Sequence, residues 1–293
     1  MRETLALVYS VFKIRIGMAI MLTALAGIAV APGTAPDAWQ IVVLALAVLL
    51  SSASAGAFNM FMERDIDARM NRTRRRPFVT GKFIANSYWL TGIVLLLAVA
   101  IAAATLATNA VAALYVFLGA FVYGVVYTVW LKRRTSMNIV VGGLAGSFAV
   151  LAGAAAVDPG LAPAPVILAV VLFLWTPPHF WSLAFKYKDE YASVGVPMLP
   201  VVVQETTAAY VILGHTVVLV GLSLLPVMYG LGWIYLLGAA SGGALFVWTS
   251  IALARNPSPA TAMTNFHASL IQLSLLLMAA ILDAWLIQPP VPA

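Results

Sequence analysis

Three oxygen-bearing side chains recur at four-residue spacing in the most polar stretch of the chain. Asn59, Glu63 and Asp67 would share one helix face, because residues at i, i+4 and i+8 do so. Mg²⁺ prefers oxygen ligands and commonly binds through one or two carboxylates together with substrate phosphates. The spacing therefore favours a magnesium–diphosphate site, with Asp65 pointing elsewhere and pairing with Arg69. A solvated loop whose acids balance its arginines explains this short motif about as well.

Four arginines follow this motif directly. Arg72, Arg74, Arg75 and Arg76 stand immediately before Pro77. Such clusters usually determine membrane topology or contact lipid headgroups. Arginine also binds phosphate through two parallel hydrogen bonds. Their position next to the acidic motif favours a diphosphate role for at least one of them, although spacing does not identify which one.

A histidine lies inside a long apolar segment, directly after two prolines. Pro177 and Pro178 are expected to break or kink the helix and to free backbone carbonyls. His179 is then a candidate catalytic residue, because ionisable groups within the membrane usually face the bundle interior and serve function. The alternative is a buried histidine hydrogen-bonded to a freed carbonyl. For the isolated His215 and His267 a structural role is favoured.

A second acidic pair, Asp189 and Glu190, lies between Lys188 and Tyr191, and Lys186 comes just before. Two acidic sites could hold two metal ions, or one metal ion and a polar end of a substrate. Taken alone, the segment is more simply interpreted as a solvated loop.

The elements that position these residues must be membrane helices. The 293 residues are 63% hydrophobic and 9% charged, with a mean hydropathy of +1.00. Soluble domains carry about 25% charged residues, so the chain is expected to be a polytopic membrane protein. A net charge of +6 is then explained by basic cytoplasmic loops, and nucleic acid is not expected as a partner. Because the chain has no cysteine, disulfides and thiolate metal sites are excluded.

The hydropathy pattern predicts an all-α bundle of nine transmembrane helices. If the N-terminus is cytoplasmic, all 16 Lys and Arg residues fall on one side, so the C-terminus is expected in the periplasm. The predicted spans are 14–31, 39–60, 86–107, 110–130, 137–157, 164–185, 208–229, 231–253 and 264–287. The two main polar loops then protrude from the same face, which suggests two helical halves of like orientation.

Several motifs in a fixed order resemble the UbiA superfamily of intramembrane prenyltransferases, and most of all its heme-farnesylating branch. The likeness covers nearly the whole chain. It rests on the Asn59–Asp67 motif running into 75–81, on 131–133 with Asn138, Gly142 and Gly143, on 176–184 and on 196–201.

The resemblance implies one domain over 1–293, in which nine helices surround a central cavity in a bacterial inner membrane. It implies Mg²⁺ bound by Asn59, Glu63 and Asp67, with farnesyl diphosphate and heme b as substrates, heme O as product, and heme A synthase as a protein partner. The implied substrate-binding residues are Arg72, Arg75, Lys82, Lys132, Arg133, Asn138, Lys186, Lys188, Asp189 and Glu190. The second motif, however, has fewer aspartates than the wider superfamily, and Lys186 and Lys188 could instead meet heme propionates.

Three other functions are compatible with parts of the pattern. A related prenyltransferase could use another aromatic or tetrapyrrole acceptor. A transporter would have its ionisable residues along a path through the membrane, whereas here the outer half offers only Asp37, Asp158 and Asp283. A structural assembly factor would not need the acidic motif.

Overall fold

The computed structural model describes residues 2–287, and all regular secondary structure in that range is helical. The predicted domain limits at 1 and 293, and the predicted periplasmic C-terminus, lie outside the described residues. Eight helices of this range are long and apolar enough to cross a membrane. A ninth span is obtained when two N-terminal helices, bent by 49° at a short break, are counted together. The predicted all-α, nine-span architecture is confirmed.

The helix bounds follow the hydropathy pattern closely. The first half consists of α1 (Arg2–Val11), α2 (Ile14–Val30), α3 (Ala38–Met62), α4 (Arg64–Arg69), α5 (Ser87–Ala107), α6 (Ala110–Phe121) with its π-helical extension (Val122–Leu131), α7 (Asn138–Gly142) and α8 (Leu144–Val157). The second half consists of α9 (Pro163–Lys186), α10 (Lys188–Ser193), α11 (Leu199–Val202), α12 (Glu205–Leu224) with a 3₁₀ turn (Leu225–Tyr229), α13 (Trp233–Arg255) and α14 (Pro259–Leu286).

The nine long helices form a closed ring. Each packs against the next in chain order, and α14 returns to pack against α2. Contacts across the ring join α2 to α8 and α9 to α14. Because the first and last spans meet, residues from distant parts of the sequence can converge at one end of the bundle.

Small residues permit the closest of these approaches. Where α2 crosses α8, a Cβ atom added to Gly27 would lie 2.1 Å from the carbonyl oxygen of Val150. A Cβ atom added to Gly153 would lie 1.9 Å from the carbonyl oxygen of Ala24. Neither position can hold a larger residue without separating the helices, as is typical of small-residue packing in lipid.

The expected break in the sixth span is absent. Helix α9 continues from Pro163 to Lys186 with Pro177 and Pro178 inside it, so of the predicted break or kink the break does not occur. Helices α8, α12 and α14 all pack on α9, and this packing holds the helix together where two backbone donors are missing.

Candidate active site

Asn59, Glu63 and Asp67, called here the oxygen triad, lie along one buried wall at the end of α3. The helix is interrupted only at Glu63, and the four-residue hydrogen-bond pattern continues across the break. The amide of Glu63 donates to the carbonyl of Asn59 at 3.0 Å, and the amide of Asp67 donates to the carbonyl of Glu63 at 2.8 Å. The three residues are only 2–3% exposed. The structure thus brings the predicted triad together.

Each carboxylate of the triad is paired with one cation. Lys132 Nζ lies 2.5 Å from Glu63 Oε1, and Arg76 Nη1 lies 2.6 Å from Asp67 Oδ2. The other oxygens, Glu63 Oε2 and Asp67 Oδ1, accept no hydrogen bond from any described residue. These two oxygens are therefore available to a ligand.

The third triad member, Asn59, is held by a lysine that lies 46 residues earlier in the chain. Lys13 Nζ donates to Asn59 Oδ1 at 2.6 Å and to the Tyr123 hydroxyl at 2.9 Å. Lys13 occupies the break between α1 and α2 with a positive φ of 48°, an uncommon conformation for a non-glycine residue. Its alkyl chain passes over Gly56, where an added Cβ would approach it to 3.2 Å. Lys13, Arg76 and Lys132 are called here the cation set.

A π-helix shapes the wall opposite the triad. The π-helix covers Val122–Leu131, and at its end the backbone amide of Lys132 donates to the carbonyl of Tyr127, five residues earlier, at 2.9 Å. The Thr128 hydroxyl also donates to a carbonyl five residues earlier, that of Tyr123, at 2.8 Å. Tyr123 and Tyr127 stack with their centroids 5.8 Å apart. The side-chain nitrogen of Asn59, Nδ2, donates to the hydroxyl of Thr128 at 3.0 Å. π-Helical turns are rare and frequently occur at functional sites.

The triad fits a divalent ion that is shared with a substrate. It supplies two carboxylates and one amide, and the described residues contain no group of three Asp, Glu, His or Cys side chains that could hold a metal alone. Mg²⁺ suits such a partial set, because it keeps several ligand positions for water and phosphate oxygens. Neighbouring ammonium and guanidinium groups would neutralise those phosphates.

Asp65 and Arg133 form an ion pair at the exposed rim, outside the triad. Two Arg133 nitrogens donate to the two Asp65 oxygens, each at 2.7 Å. The predicted pairing of Asp65 with Arg69 is therefore wrong. Asp65 lies on the outer face of α4, towards the loop after the π-helix, and Arg133 is the cation there. The hydrogen bond from Arg133 lowers the pKa of Asp65, and the same contact raises the pKa of Arg133.

Arg72 connects the two polar loops. Its backbone amide donates to Glu190 Oε2 at 3.4 Å, and its Nη2 donates to the Tyr191 hydroxyl at 3.2 Å. Its guanidinium carbon lies 5.4 Å from the centre of the Tyr187 ring. Asp189 is exposed beside this contact. Arg72 therefore fastens the second loop to the first.

Other predicted substrate-binding cations lie away from the triad. Arg75 is exposed, while its neighbour Arg76 reaches Asp67. Lys82 pairs with Glu3 of α1. Lys186 is exposed.

Lys188 and Asn138 have structural partners. Lys188 Nζ lies 3.1 Å from Glu205 Oε1. Asn138 is fully buried, and its Nδ2 donates to the carbonyls of Thr135 at 2.7 Å and Lys132 at 3.2 Å. It thereby orders the loop that carries Lys132.

His179 occupies a separate, neutral environment between α9 and α14. Its ring stacks on Trp175 at 4.2 Å and on Phe266 at 4.5 Å, measured between centroids. Nδ1 lies 2.7 Å from the Ser269 hydroxyl oxygen. The histidine thus bonds a hydroxyl group rather than one of the carbonyls freed by the prolines.

Two apolar cavities lie at the flank of α5, and Ile93 lines both. One, of about 340 Å³, is also lined by Phe12 and Trp89. The other, of about 180 Å³, is also lined by Phe58 and Gly124. Phe12 and Phe58 immediately precede Lys13 and Asn59 in the sequence.

Sequence reasoning missed three residues that contact the triad, Lys13, Arg76 and Thr128, and also Tyr123, which accepts a hydrogen bond from Lys13. Lys13 was assigned to topology alone, and Arg76 was not separated from its neighbours. No local pattern set Tyr123 or Thr128 apart from the other residues of their span. The lysine between two apolar helices was the one detectable signal, because a cation there must find a partner or reach water.

Comparison with known proteins gives consistent results. Residues 20–280 match the family described as UbiA prenyltransferase family. A protein named protoheme IX farnesyltransferase 2 from Paramagnetospirillum magneticum is 58% identical over 97% of this chain and 98% of its own. A protein named protoheme IX farnesyltransferase from Clavibacter sepedonicus is 40% identical over 96% of this chain and 93% of its own.

Solved structures share the fold at low identity. One, described as digeranylgeranylglyceryl phosphate synthase, has a TM-score of 0.79 at 20% identity, covering 96% of this chain and 99% of the other. A UbiA homolog from Archaeoglobus fulgidus bound to DMAPP and Mg²⁺ has a TM-score of 0.69 at 17% identity, covering 94% of this chain and 98% of the other.

Proposed function

We infer the reaction from the family: the chain belongs to the UbiA prenyltransferase family and is an enzyme that transfers prenyl groups. It joins the farnesyl group of farnesyl diphosphate to a vinyl group of heme b and adds one water molecule, giving heme O and diphosphate. The observation that carries this conclusion is the 58% identity, over nearly the full length of both chains, to a protoheme IX farnesyltransferase. The geometry of the triad and the cation set supports the same chemistry.

Diphosphate binding is proposed for the triad and the cation set together. A Mg²⁺ ion held by Asn59, Glu63 and Asp67 would neutralise part of the diphosphate charge. Lys13, Arg76 and Lys132 come from three different segments and converge on the same wall, where their N–H groups can donate to phosphate oxygens. Stabilising the departing diphosphate favours breakage of its bond to the farnesyl carbon.

The allylic cation left by that step needs an apolar, electron-rich surrounding. The stacked rings of Tyr123 and Tyr127 lie beside the cation set, with the Lys13 and Lys132 Nζ atoms 5.5 and 5.6 Å from their centres. Their faces would stabilise a developing carbocation by cation–π attraction. The apolar cavities along α5, lined by Phe12 and Phe58 among others, are the proposed place for the isoprenoid chain.

Heme b is assigned to the second half of the bundle. His179, Trp175 and Phe266 offer one polar edge between aromatic faces, which suits a flat apolar ring system. The exposed Lys186 is proposed to meet a heme propionate at the cytoplasmic surface, with Lys188 as its neighbour.

Location and protein partner follow from the same assignment. The protein crosses a membrane several times. The proposed membrane is the bacterial cytoplasmic membrane, with the N-terminus in the cytoplasm, because the basic residues then lie inside. Heme O is lipid-soluble and would pass to the enzyme that oxidises it, so heme A synthase is the proposed partner.

The direct test is reconstitution. Purified protein in lipid vesicles with heme b, farnesyl diphosphate and Mg²⁺ should yield a hydroxylated, farnesylated heme, identified by mass spectrometry. Chelation of divalent ions should stop the reaction, and re-addition of Mg²⁺ should restore it. Formation of a product only with a different aromatic acceptor would assign the enzyme to another reaction of the family.

A further inference from the structure

The interface between α9 and α14 carries a row of polar groups deep in the bundle. Ser182 Oγ accepts from Asn265 Nδ2 at 3.0 Å, and His179 Nδ1 lies 2.7 Å from Ser269 Oγ. Ser182, Asn265 and Ser269 are fully buried, as is Gln272, one turn beyond Ser269 on α14. Polar groups at this depth are costly unless they are paired or used.

The hydrogen bonds fix which nitrogen of His179 carries the proton. The Ser269 hydroxyl donates its one hydrogen to the carbonyl of Phe266 at 2.6 Å. Its oxygen must therefore accept a hydrogen bond from His179 Nδ1–H. In a neutral imidazole the other nitrogen is then an acceptor with a free lone pair. No hydrogen bond from a described residue reaches Nε2, and aromatic rings cover both ring faces.

Two buried side-chain amides on the same face of α14 differ in whether they have hydrogen-bond partners. Asn265 is satisfied: its oxygen accepts from Thr249 at 2.7 Å and from Ser250 at 2.9 Å, and its nitrogen donates to Ser182. Gln272 is fully buried, yet neither its nitrogen nor its oxygen has a hydrogen-bond partner among the described residues. Orphaned buried amides are rare in native proteins and usually mark a water or ligand position.

The proposed reaction needs water at one point only. Attack of the vinyl group on the farnesyl cation forms a carbon–carbon bond and leaves a positive charge on the vinyl carbon next to the heme ring. The oxygen of one water molecule then bonds to that carbon, and one proton must leave. Without a placed water and a base, the same cation loses a proton from the adjacent carbon and gives an alkene.

We propose that the α9–α14 interface is the water site of this reaction, with His179 Nε2 accepting the proton of the attacking water. Ser269 is a positioning residue that keeps Nε2 unprotonated, and Gln272 holds water nearby. The inference rests on the proposed function. The other histidines are less suited: His267 is exposed, and His215 Nδ1 is engaged by the Val211 carbonyl.

The test follows the fate of the cation. Reconstituted His179→Gln protein should raise the ratio of alkene to alcohol product by about tenfold or more, since a general base contributes at least about a hundredfold to its step. Ser269→Ala should shift the ratio in the same direction by a smaller factor. Labelled water should enter the alcohol of the unaltered protein. His267→Gln, which changes an exposed histidine on α14, is the matched control and should leave the ratio unchanged.

The outcomes separate the two hypotheses. If the unaltered protein makes no farnesylated heme, the proposed function fails. If it makes the alcohol but both variants keep its product ratio, only the water-site inference is overturned. A third result would also overturn the water-site inference: loss of bound heme b absorbance in His179→Gln together with an unchanged ratio of alkene to alcohol in Ser269→Ala. It would identify the histidine as an iron ligand.

Discussion

The bundle contains the same backbone feature twice, once after α3 and once after α9. A one-residue break, at Glu63 (φ −93°, ψ 14°) and at Tyr187 (φ −105°, ψ 26°), precedes a helix of six residues in both places. The amide after one further turn, at Asp67 and Tyr191, donates back to the break residue at 2.8 and 3.0 Å. The two halves therefore present equivalent positions at the same end of the bundle.

The side chains at these equivalent positions differ completely. Where the first half has Asn59, Glu63 and Asp67, the second half has Leu183, Tyr187 and Tyr191. The acids of the second loop occupy other positions: Asp189 corresponds to the exposed Asp65, and Glu190 to Ile66. The backbone geometry is shared, and the residues on its inner face decide whether that position gathers buried carboxylates or contacts Arg72.

The largest expected effect on activity comes from the inner face of the first half, which carries the triad. Asp67→Asn should lower the rate of heme farnesylation by about a hundredfold or more, because a charge that stabilises the leaving group is lost. Arg76 would also lose its partner. The measurement is product formation in vesicles, with insertion checked by the yield of folded protein. Tyr191→Phe alters the equivalent residue of the second half and should cost only a few-fold. Equal losses in the two variants would remove the distinction between the halves.

The next effect should appear at the cation set. Lys132→Met removes the partner of Glu63 and one proposed phosphate donor, and should raise the KM for farnesyl diphosphate by about tenfold, the scale of a lost charged hydrogen bond. Lys188→Met, which removes a lysine paired with Glu205 in the second loop, is the control and should leave that KM within about twofold. A larger effect from Lys188 would place the diphosphate nearer the second loop.

Much of the fold could be predicted because lipid imposes simple rules. Nine apolar segments with basic residues at alternate ends allow few arrangements, and α2, α3 and α14 all lie within a few residues of their predicted bounds. The continuous α9 could not be foreseen from Pro177 and Pro178, because the packing of three neighbouring helices outweighs the two missing donors.

The site was predictable only where its residues are close in sequence. The triad follows from helical spacing within one segment. Lys13 and Thr128 reach it from segments 46 and 69 residues away, and no local pattern encodes that approach. The π-helix was equally hidden, since Val122–Leu131 looks like ordinary α-helix by composition. Among four neighbouring arginines, only the fold distinguishes Arg76 from Arg75.

A smaller effect is expected at the link between the loops. Arg72→Gln removes the contacts with Tyr187 and Tyr191, and should lower activity by about three- to tenfold through misplacement of the second loop. Protease accessibility of 186–198 should rise in parallel. Arg75→Gln, an exposed neighbour, should change neither quantity. Loss of activity without any change in protease accessibility would indicate that Arg72 binds substrate directly.

The smallest effect should come from Asp65, on the outer face of α4. Its substitution tests whether activity depends on any carboxylate in this segment or only on those of the inner face. Asp65→Asn removes an ion pair whose partners are both about half exposed, so the free energy of unfolding in detergent should fall by no more than about 0.5 kcal/mol at neutral pH. The pKa of Asp65 is lowered from an ordinary value of 3.8, so this contribution is present above that pH and is lost as the pH falls through the lowered value. The stabilities of the variant and the unaltered protein should therefore converge in acid.

Asp189→Asn, at the equivalent outer position of the second half, should be as mild, and activity should persist in both variants. A large loss of activity in Asp65→Asn would show that the outer face of α4 contributes to the site. Burial would then not explain why the triad acids matter for activity and the exposed acids do not.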